Sequence, residues 1–464
     1  MLENLLAGAI NVFDLNSLAA IAVGVLWGII GGMIPGINAT IAMALLLPFT
    51  WGMDPINAIM MLVGVYCGGE YGGSIPAVLI GTPGTTAATV TAIDGYELHK
   101  QGKTGIALGT SLIASTFGGL VSAILLIFIA VPLASVAIKF GPAEYFALAC
   151  IGLTLVCSLG GRNVFKGILA GAIGVFVACI GYDPMNGIPR YTMGNINIAD
   201  GFELIAVMMG LFAISELLNQ AEQLTGDDRF SVATKSDTRF PTLSIIRKFI
   251  PTAFFSALLG IVIGAMPGVG ASTACFVAYS EAKRWCKDGH TFGTGNVKGV
   301  AAPEASNNAV TGGALVPLLA LGIPGSNSTA IMLGALMIHN VQPGPLLFEK
   351  TPDIPFSIFV ALIVANILMF VMGYLILKVV IRITSISKPV LFACIMALVF
   401  TGAFAYSNDP FDILVTFSFG LLGYLMKKFG VPYTATVLGF VLGFIMEANL
   451  RRALLLTQGD WGSA

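Results

Sequence analysis

The chain has 464 residues, 56% of them hydrophobic and only 10% charged, with a mean hydropathy of +0.89. This composition excludes an ordinary soluble domain: many apolar runs are long enough to cross ~30 Å of hydrocarbon, which describes a polytopic, all-α membrane protein. A net charge of −1 with no basic stripe gives no footing for a nucleic-acid partner.

Glycine is abundant, at 56 residues, which suits helices that approach closely in lipid through small side chains. Of the seven cysteines, six lie in apolar runs, and no disulfide framework or CxxC spacing appears. His99, His290 and His339 share no spacing, so no metal is expected beyond a sodium ion, and no cofactor. No positive charge precedes the first apolar run, so a cleavable signal peptide is not expected.

Taken in order, the first apolar block covers 15–50 and is interrupted by Pro35-Gly36-Ile37-Asn38-Ala39-Thr40. Both arms read as short for a full crossing, so a helical hairpin with its tip at Pro35-Gly36 is expected. The second block, 55–89, carries Gly68-Gly69-Glu70-Tyr71-Gly72-Gly73-Ser74 and then Gly81-Thr82-Pro83-Gly84-Thr85-Thr86. A polar patch at 94–100 is followed by plain spans near 106–131, 143–159, 163–182 and 201–222. Residues 223–244 form the one markedly charged linker, read as cytoplasmic between a first transmembrane repeat, 1–222, and a second, 245–464.

The second part repeats the first. At an offset of 232, Gly28, Gly32, Pro35, Gly36 and Thr40 fall on Gly260, Gly264, Pro267, Gly268 and Ser272. At an offset of 241, Gly72, Pro76, Gly81, Pro83, Gly84 and Thr85 fall on Gly313, Pro317, Gly322, Pro324, Gly325 and Ser326. The difference, 241 − 232 = 9 residues, fits an insertion in the polar loop 283–292. Plain spans near 355–382, 389–406, 409–428 and 431–449 complete the second repeat.

Charge bias orients the halves. No Lys or Arg precedes Lys100, which puts the N-terminus outside; crossing at each plain span then puts Lys139 and Arg190 outside and the linker inside. The second half starts inside, so the repeats read as inverted in topology, with Arg451 and Arg452 falling outside against the bias.

The breaks carry the chemistry. Pro lacks a donor and Gly adopts turn angles, so a Pro-Gly pair stops a helix; the small polar residues that follow are N-cap types, so a new helix starts there. Backbone broken at membrane depth survives only inside protein or along a cavity. Inverted repeats whose broken helices meet near the midplane are a transporter architecture. The structural breaks are Pro35-Gly36, Pro83-Gly84, Pro267-Gly268 and Pro324-Gly325. The candidate substrate contacts are Asn38, Thr40, Ser74, Thr85, Thr86, Ser272, Thr273, Ser326, Asn327 and Ser328, with Asn307 and Asn308 for their amides. Lys and Arg are absent from all four blocks, so helix N-termini would have to hold an anion. Glu70 and Glu304 stand in apolar runs as candidate proton carriers or cation ligands, together with carbonyls just before the breaks at Ile34, Thr82, Met266 and Ile323. The competing readings make each break a self-capped turn, Glu304 a helix-start carboxylate and Glu70 an interfacial residue.

The ordered set Tyr71-Gly-Gly-Ser74, Thr82-Pro-Gly-Thr85, Asp94-Gly-Tyr96, Pro303-Glu-Ala-Ser-Asn-Asn308, Leu321-Gly-Ile-Pro-Gly-Ser326 and Pro343-Gly-Pro345 resembles the large membrane subunit of the tripartite tricarboxylate transporters, TctA. The resemblance implies a multi-pass permease of the bacterial inner membrane, working with a small four-helix membrane subunit and a periplasmic solute-binding protein. It also implies uptake of a carboxylate such as a tricarboxylate by sodium or proton symport. Glu70, directly before Tyr71, departs from the pattern expected of many relatives. A passive anion channel and a membrane-embedded enzyme are the rival classes; no nucleophile–base pair, metal cluster or catalytic carboxylate pair supports an enzyme.

Overall fold

The computed structural model describes residues 1–34, 37–159, 163–183, 186–222, 239–380 and 388–458. Pro35 and Gly36, and most of the expected linker, lie outside the described residues. The first half opens with α1 (Leu2–Val12), an element no break or long apolar run announces, and α2 (Leu15–Met33). Then come α3 (Ala39–Leu46), α4 (Pro55–Gly72), α5 (Ser74–Ile80), α6 (Ala88–Lys100), α7 (Thr104–Ala137), α8 (Pro142–Leu159) and α9 (Val164–Ala178). A short ribbon of β1 (Gly181–Tyr182) and β2 (Pro189–Arg190) leads to α10 (Leu204–Met208), a π-helical turn Met209–Ile214, and α11 (Ser215–Glu222).

The second half holds α12 (Leu243–Gly264), α13 (Gly270–Trp285), α14 (Val297–Leu321), α15 (Asn327–Ile338) and the single turn α16 (Leu347–Lys350). It ends with α17 (Asp353–Val380), α18 (Lys388–Ser407), α19 (Pro410–Lys428) and α20 (Tyr433–Leu456). The expected plain spans appear as helices, although α7 runs six residues past its expected end, to Ala137, α20 runs seven past, to Leu456, and the span near 201–222 is divided into α10, the π-helical turn and α11. Six helices among the described residues are long and apolar enough to cross a membrane: α2, α7, α12, α17, α19 and α20. The expectation of two short arms in the first block holds for α3 and fails for α2, which runs 19 residues because nothing between Asp14 and Met33 breaks it.

Packing at the glycines follows the two offsets read from the sequence. A Cβ on Gly28 would stand 2.5 Å from the carbonyl oxygen of Val65, and one on Gly260 would stand 2.4 Å from that of Ser306. On Gly32 it would meet the Gly69 oxygen at 2.4 Å, and on Gly264 the Val310 oxygen at 3.0 Å. On Gly84 it would meet Gly32 O at 2.1 Å, and on Gly325 it would meet Gly264 O at 2.5 Å. These three contacts in the first half thus have counterparts in the second; five of the six leave no room for a Cβ, whereas at Gly264 the neighbour would have to give only slightly. The left-handed C-caps match as well: Gly81 ends α5 at φ +67° and Gly322 ends α14 at φ +74°, values an L side chain rarely adopts.

The halves interlock rather than sit side by side. Within each half α2 packs on α4 and α12 on α14; across the halves α7 packs on α14 while α17 packs on α4. The same exchange recurs farther out, where α9 lies on α20 and α19 on the α10–α11 segment. At one end Arg451 binds Asp183 at 2.7 Å and Glu447 at 2.7 Å, and Arg190 reaches Glu447 at 2.5 Å. The arginine that falls outside against the charge bias thus shares one end of the molecule with Arg190, and both carry paired charge. Asp94, from the polar patch, is buried and anchors the loop between α13 and α14: it accepts from Tyr279 Oη at 2.9 Å, Gly295 N at 2.9 Å and Asn296 N at 2.7 Å.

Candidate functional site

Three of the four breaks are described, and the side chains after all four converge on one cavity of about 270 Å³. The first break contributes Asn38 and Thr40, the second Thr85, Thr86 and Ala87, the third Gly268 to Ser272, and the fourth Ser326, Asn327 and Ser328. Local chemistry explains the helix starts. Asn38 accepts from Ile41 N at 2.9 Å and caps α3. Ser326 forms a capping box at α15: its Oγ accepts from Thr329 N at 3.2 Å, while Thr329 Oγ1 accepts from Ser326 N at 2.8 Å. α13 starts from Val269 with no capping side chain, so its first-turn N–H groups have no side-chain acceptor of their own.

Hydroxyl pairs stitch the breaks together across the halves. Thr40 Oγ1 lies 3.0 Å from Ser328 Oγ, joining the first break to the fourth. Thr86 Oγ1 lies 2.7 Å from Ser272 Oγ, joining the second to the third. Gly268 N donates to Gly325 O at 3.2 Å, joining the third to the fourth. These contacts run between breaks, which weakens the reading of each as a self-contained turn. Among the described residues no Lys, Arg or His lines the cavity, and Glu70 is the one carboxylic acid that does. Four helix N-termini, those of α3, α6, α13 and α15, meet there, each carrying roughly half a positive charge.

Of the candidate contacts, Asn38, Thr40, Thr85, Thr86, Ser272, Ser326, Asn327 and Ser328 line the cavity and four others do not. Ser74 is buried beneath it, 2.7 Å from Ser111 Oγ and bonded to Tyr71 O at 2.8 Å. Thr273 turns its hydroxyl back to Val269 O at 3.1 Å. Asn307 and Asn308 are buried inside α14, where Asn307 Nδ2 donates to Glu70 O at 2.9 Å and Asn308 Nδ2 faces Met369 Sδ at 3.9 Å. Thr82 is exposed and Ile323 is buried away from the cavity, so neither break-edge carbonyl position reaches it; Ile34 O already accepts from Ile37 N at 2.9 Å.

The two acids part company. Glu70 is 9% exposed and faces the cavity, which sets aside the interfacial reading. Glu304 lies inside α14, not at a helix start, and is 1% exposed. Its carboxylate accepts from Thr91 Oγ1 at 2.5 Å, Ser115 Oγ at 2.7 Å and Ser111 Oγ at 3.1 Å. Among the described residues no ion pair includes either acid. A charge at membrane depth costs at least ~2.5 kcal/mol, and the three hydroxyls that donate to Glu304 offset part of that cost.

Residues that sequence reasoning missed include Tyr66, whose hydroxyl sits 2.9 Å from Ser326 Oγ, and Thr434 at the start of α20. Tyr66 had a signal, since it precedes Glu70 by four residues and so shares its helix face. Thr434 had none, because α20 reads as a plain span. Ser111 and Ser115 lie in a plain span too, and Thr91 falls between the second block and the polar patch, where no motif marks it.

An uncharacterized 52.8 kDa protein of the TAR-I ttuC' 3' region of Agrobacterium vitis is 35% identical over 444 residues, covering 94% of this chain and 87% of that protein. An uncharacterized protein of the TAR-II ttuC' 3' region of the same organism is 33% identical over 201 residues, 43% of this chain and 83% of that protein. No solved structure matches. The family model of the tripartite tricarboxylate transporter TctA family matches residues 18–438, nearly the whole chain, and the chain belongs to that family.

Proposed function

We propose that this multi-pass component of a tripartite transporter is an ion-gradient-driven symporter subunit that imports a small carboxylate across the bacterial inner membrane. The solute is handed over by a periplasmic binding protein, and a small four-helix membrane subunit packs on the outer spans. The observation that carries the reading is the cavity itself: four helix N-termini and a ring of hydroxyls supply donors for carboxylate oxygens, with no basic side chain among the described residues that line it. Glu70 gives the cavity a reason to take up a proton or a cation with its anion, because an unneutralised carboxylate beside an anionic solute would repel it.

The halves are inverted-topology repeats, 1–222 and 245–464. Matching glycine contacts at the two offsets support the duplication, and the Lys and Arg bias supports the inversion. Alternating access follows when one set of break-bearing helices moves against the rest about the cavity.

The test is uptake of radiolabelled citrate by proteoliposomes holding this chain, its small subunit and its binding protein, under an imposed sodium gradient and then a proton gradient. Uptake under one gradient alone is expected and identifies the ion. Flux that ignores both gradients supports the channel reading and overturns symport. Absence of citrate uptake removes that substrate and moves the assay to the solute the binding protein carries.

A further inference from the structure

The geometry points to a sodium site built on Glu304, separate from the cavity, in which the hydroxyls of Thr91, Ser111 and Ser115 complete an oxygen cage. It rests on the reading of the chain as an ion-coupled transporter and names the ion and the place where it binds. Thr91 comes from α6, Ser111 and Ser115 from one face of α7, and Glu304 from α14, so the cage closes only when three helices from both halves meet.

The donor set suits sodium. Two carboxylate oxygens and three hydroxyl oxygens are hard ligands, and a hydroxyl that now donates to the carboxylate can rotate to offer a lone pair instead. One carboxylate neutralises one monovalent ion and would leave a divalent ion with excess charge. A bound proton needs a single acceptor, and the site provides three hydroxyls beyond that minimum. Ser74 extends the shell through its 2.7 Å contact with Ser111.

The repeat supplies the second observation. At the offset of 241, Glu304 corresponds to Val63, Thr91 to Met332 and Ser74 to Leu315, and all three counterparts are fully buried apolar side chains. One half holds a polar cage where the other is dry, so the molecule has one such site and not two. Its position favours coupling: Thr91 lies four residues along the chain from Ala87 at the cavity, about 6 Å at helical rise.

The test measures binding of ²²Na⁺ to the purified full-length chain in detergent, with choline as the replacement cation, on the wild type and on Glu304→Gln, Thr91→Val and Thr91→Ser. Saturable binding is expected in the wild type and none in Glu304→Gln. Thr91→Val should weaken it about tenfold or more, and Thr91→Ser, which keeps the hydroxyl, should stay within about threefold. The Thr91 pair decides the matter if Glu304→Gln does not fold. No saturable sodium binding in the wild type overturns the proposal, as does wild-type affinity in Thr91→Val. Loss in Glu70→Gln with Thr91→Val unaffected overturns it too, placing the ion in the cavity. Sodium binding of the expected pattern without gradient-driven uptake of any solute would sink the symport reading alone, whereas sodium-driven uptake with unaltered binding in Thr91→Val would sink this site alone.

Discussion

Ser326 concentrates several roles in one hydroxyl. It caps α15, lies 2.9 Å from the Tyr66 hydroxyl and borders the cavity, so its loss has two separable effects. Ser326→Ala should lower stability by about 1 kcal/mol through the lost cap, read from thermal unfolding in detergent, and should also raise KM for uptake. Asn327→Ala removes a cavity amide without touching the cap, so a raised KM with unchanged unfolding is expected there; wild-type kinetics in both variants would remove this break from the binding site. Glu70→Gln, which removes the cavity's carboxylate and leaves the Glu304 cage intact, should fold normally and weaken the dependence of uptake on the gradient without abolishing it. Full gradient dependence in that variant would show that Glu70 carries no coupling role. These contacts were half legible beforehand. Cap-type residues after a Pro-Gly break announce themselves, whereas Asn307 and Asn308 look equally suitable and prove to be turned into α14's buried surroundings.

At the scale of the element, the breaks depend on glycine as much as on proline. A methyl group on Gly84 would meet Gly32 O at 2.1 Å and one on Gly325 would meet Gly264 O at 2.5 Å, both backbone atoms that have no soft direction in which to yield. Gly84→Ala and Gly325→Ala should each destabilise by about 1–3 kcal/mol, while Gly52→Ala, which meets nothing within 4 Å, should be neutral; comparable melting temperatures for all three would refute the close packing. Helix existence and approximate ends could be read directly, since apolar runs bounded by Pro, Gly and polar residues leave few alternatives in lipid. α1 escaped notice because it is short and precedes the first long run. α2 exceeds the short arm expected there because nothing between Asp14 and Met33 breaks it.

Across the whole molecule, the exchange of partners between halves has a direct consequence. Because α7 needs α14 and α17 needs α4, neither half buries its core faces alone. Fragments cut in the linker should each aggregate when expressed singly and co-purify as a folded pair when expressed together; a monodisperse isolated half would contradict the interlocked fold. The orientation is testable separately: a cysteine at Asn4 should react with a membrane-impermeant reagent from the outer side, and protection there would reverse the charge-based topology.

The sequence by itself determined the solvent, the helical class, the positions of the breaks and the two offsets at which their Pro and Gly residues recur. All of these follow from local composition and from what Pro and Gly do to a backbone. Only the tertiary structure decided that the first break meets the fourth and the second meets the third, that Tyr66 and Thr434 enter the cavity, and that Glu304 is ringed by hydroxyls from α6 and α7. The reason is physical. A helix apolar on every side has no hydrophobic face to reveal which side meets protein and which meets lipid, so the partner of each small polar residue is set by the packing of other helices and not by its own neighbourhood.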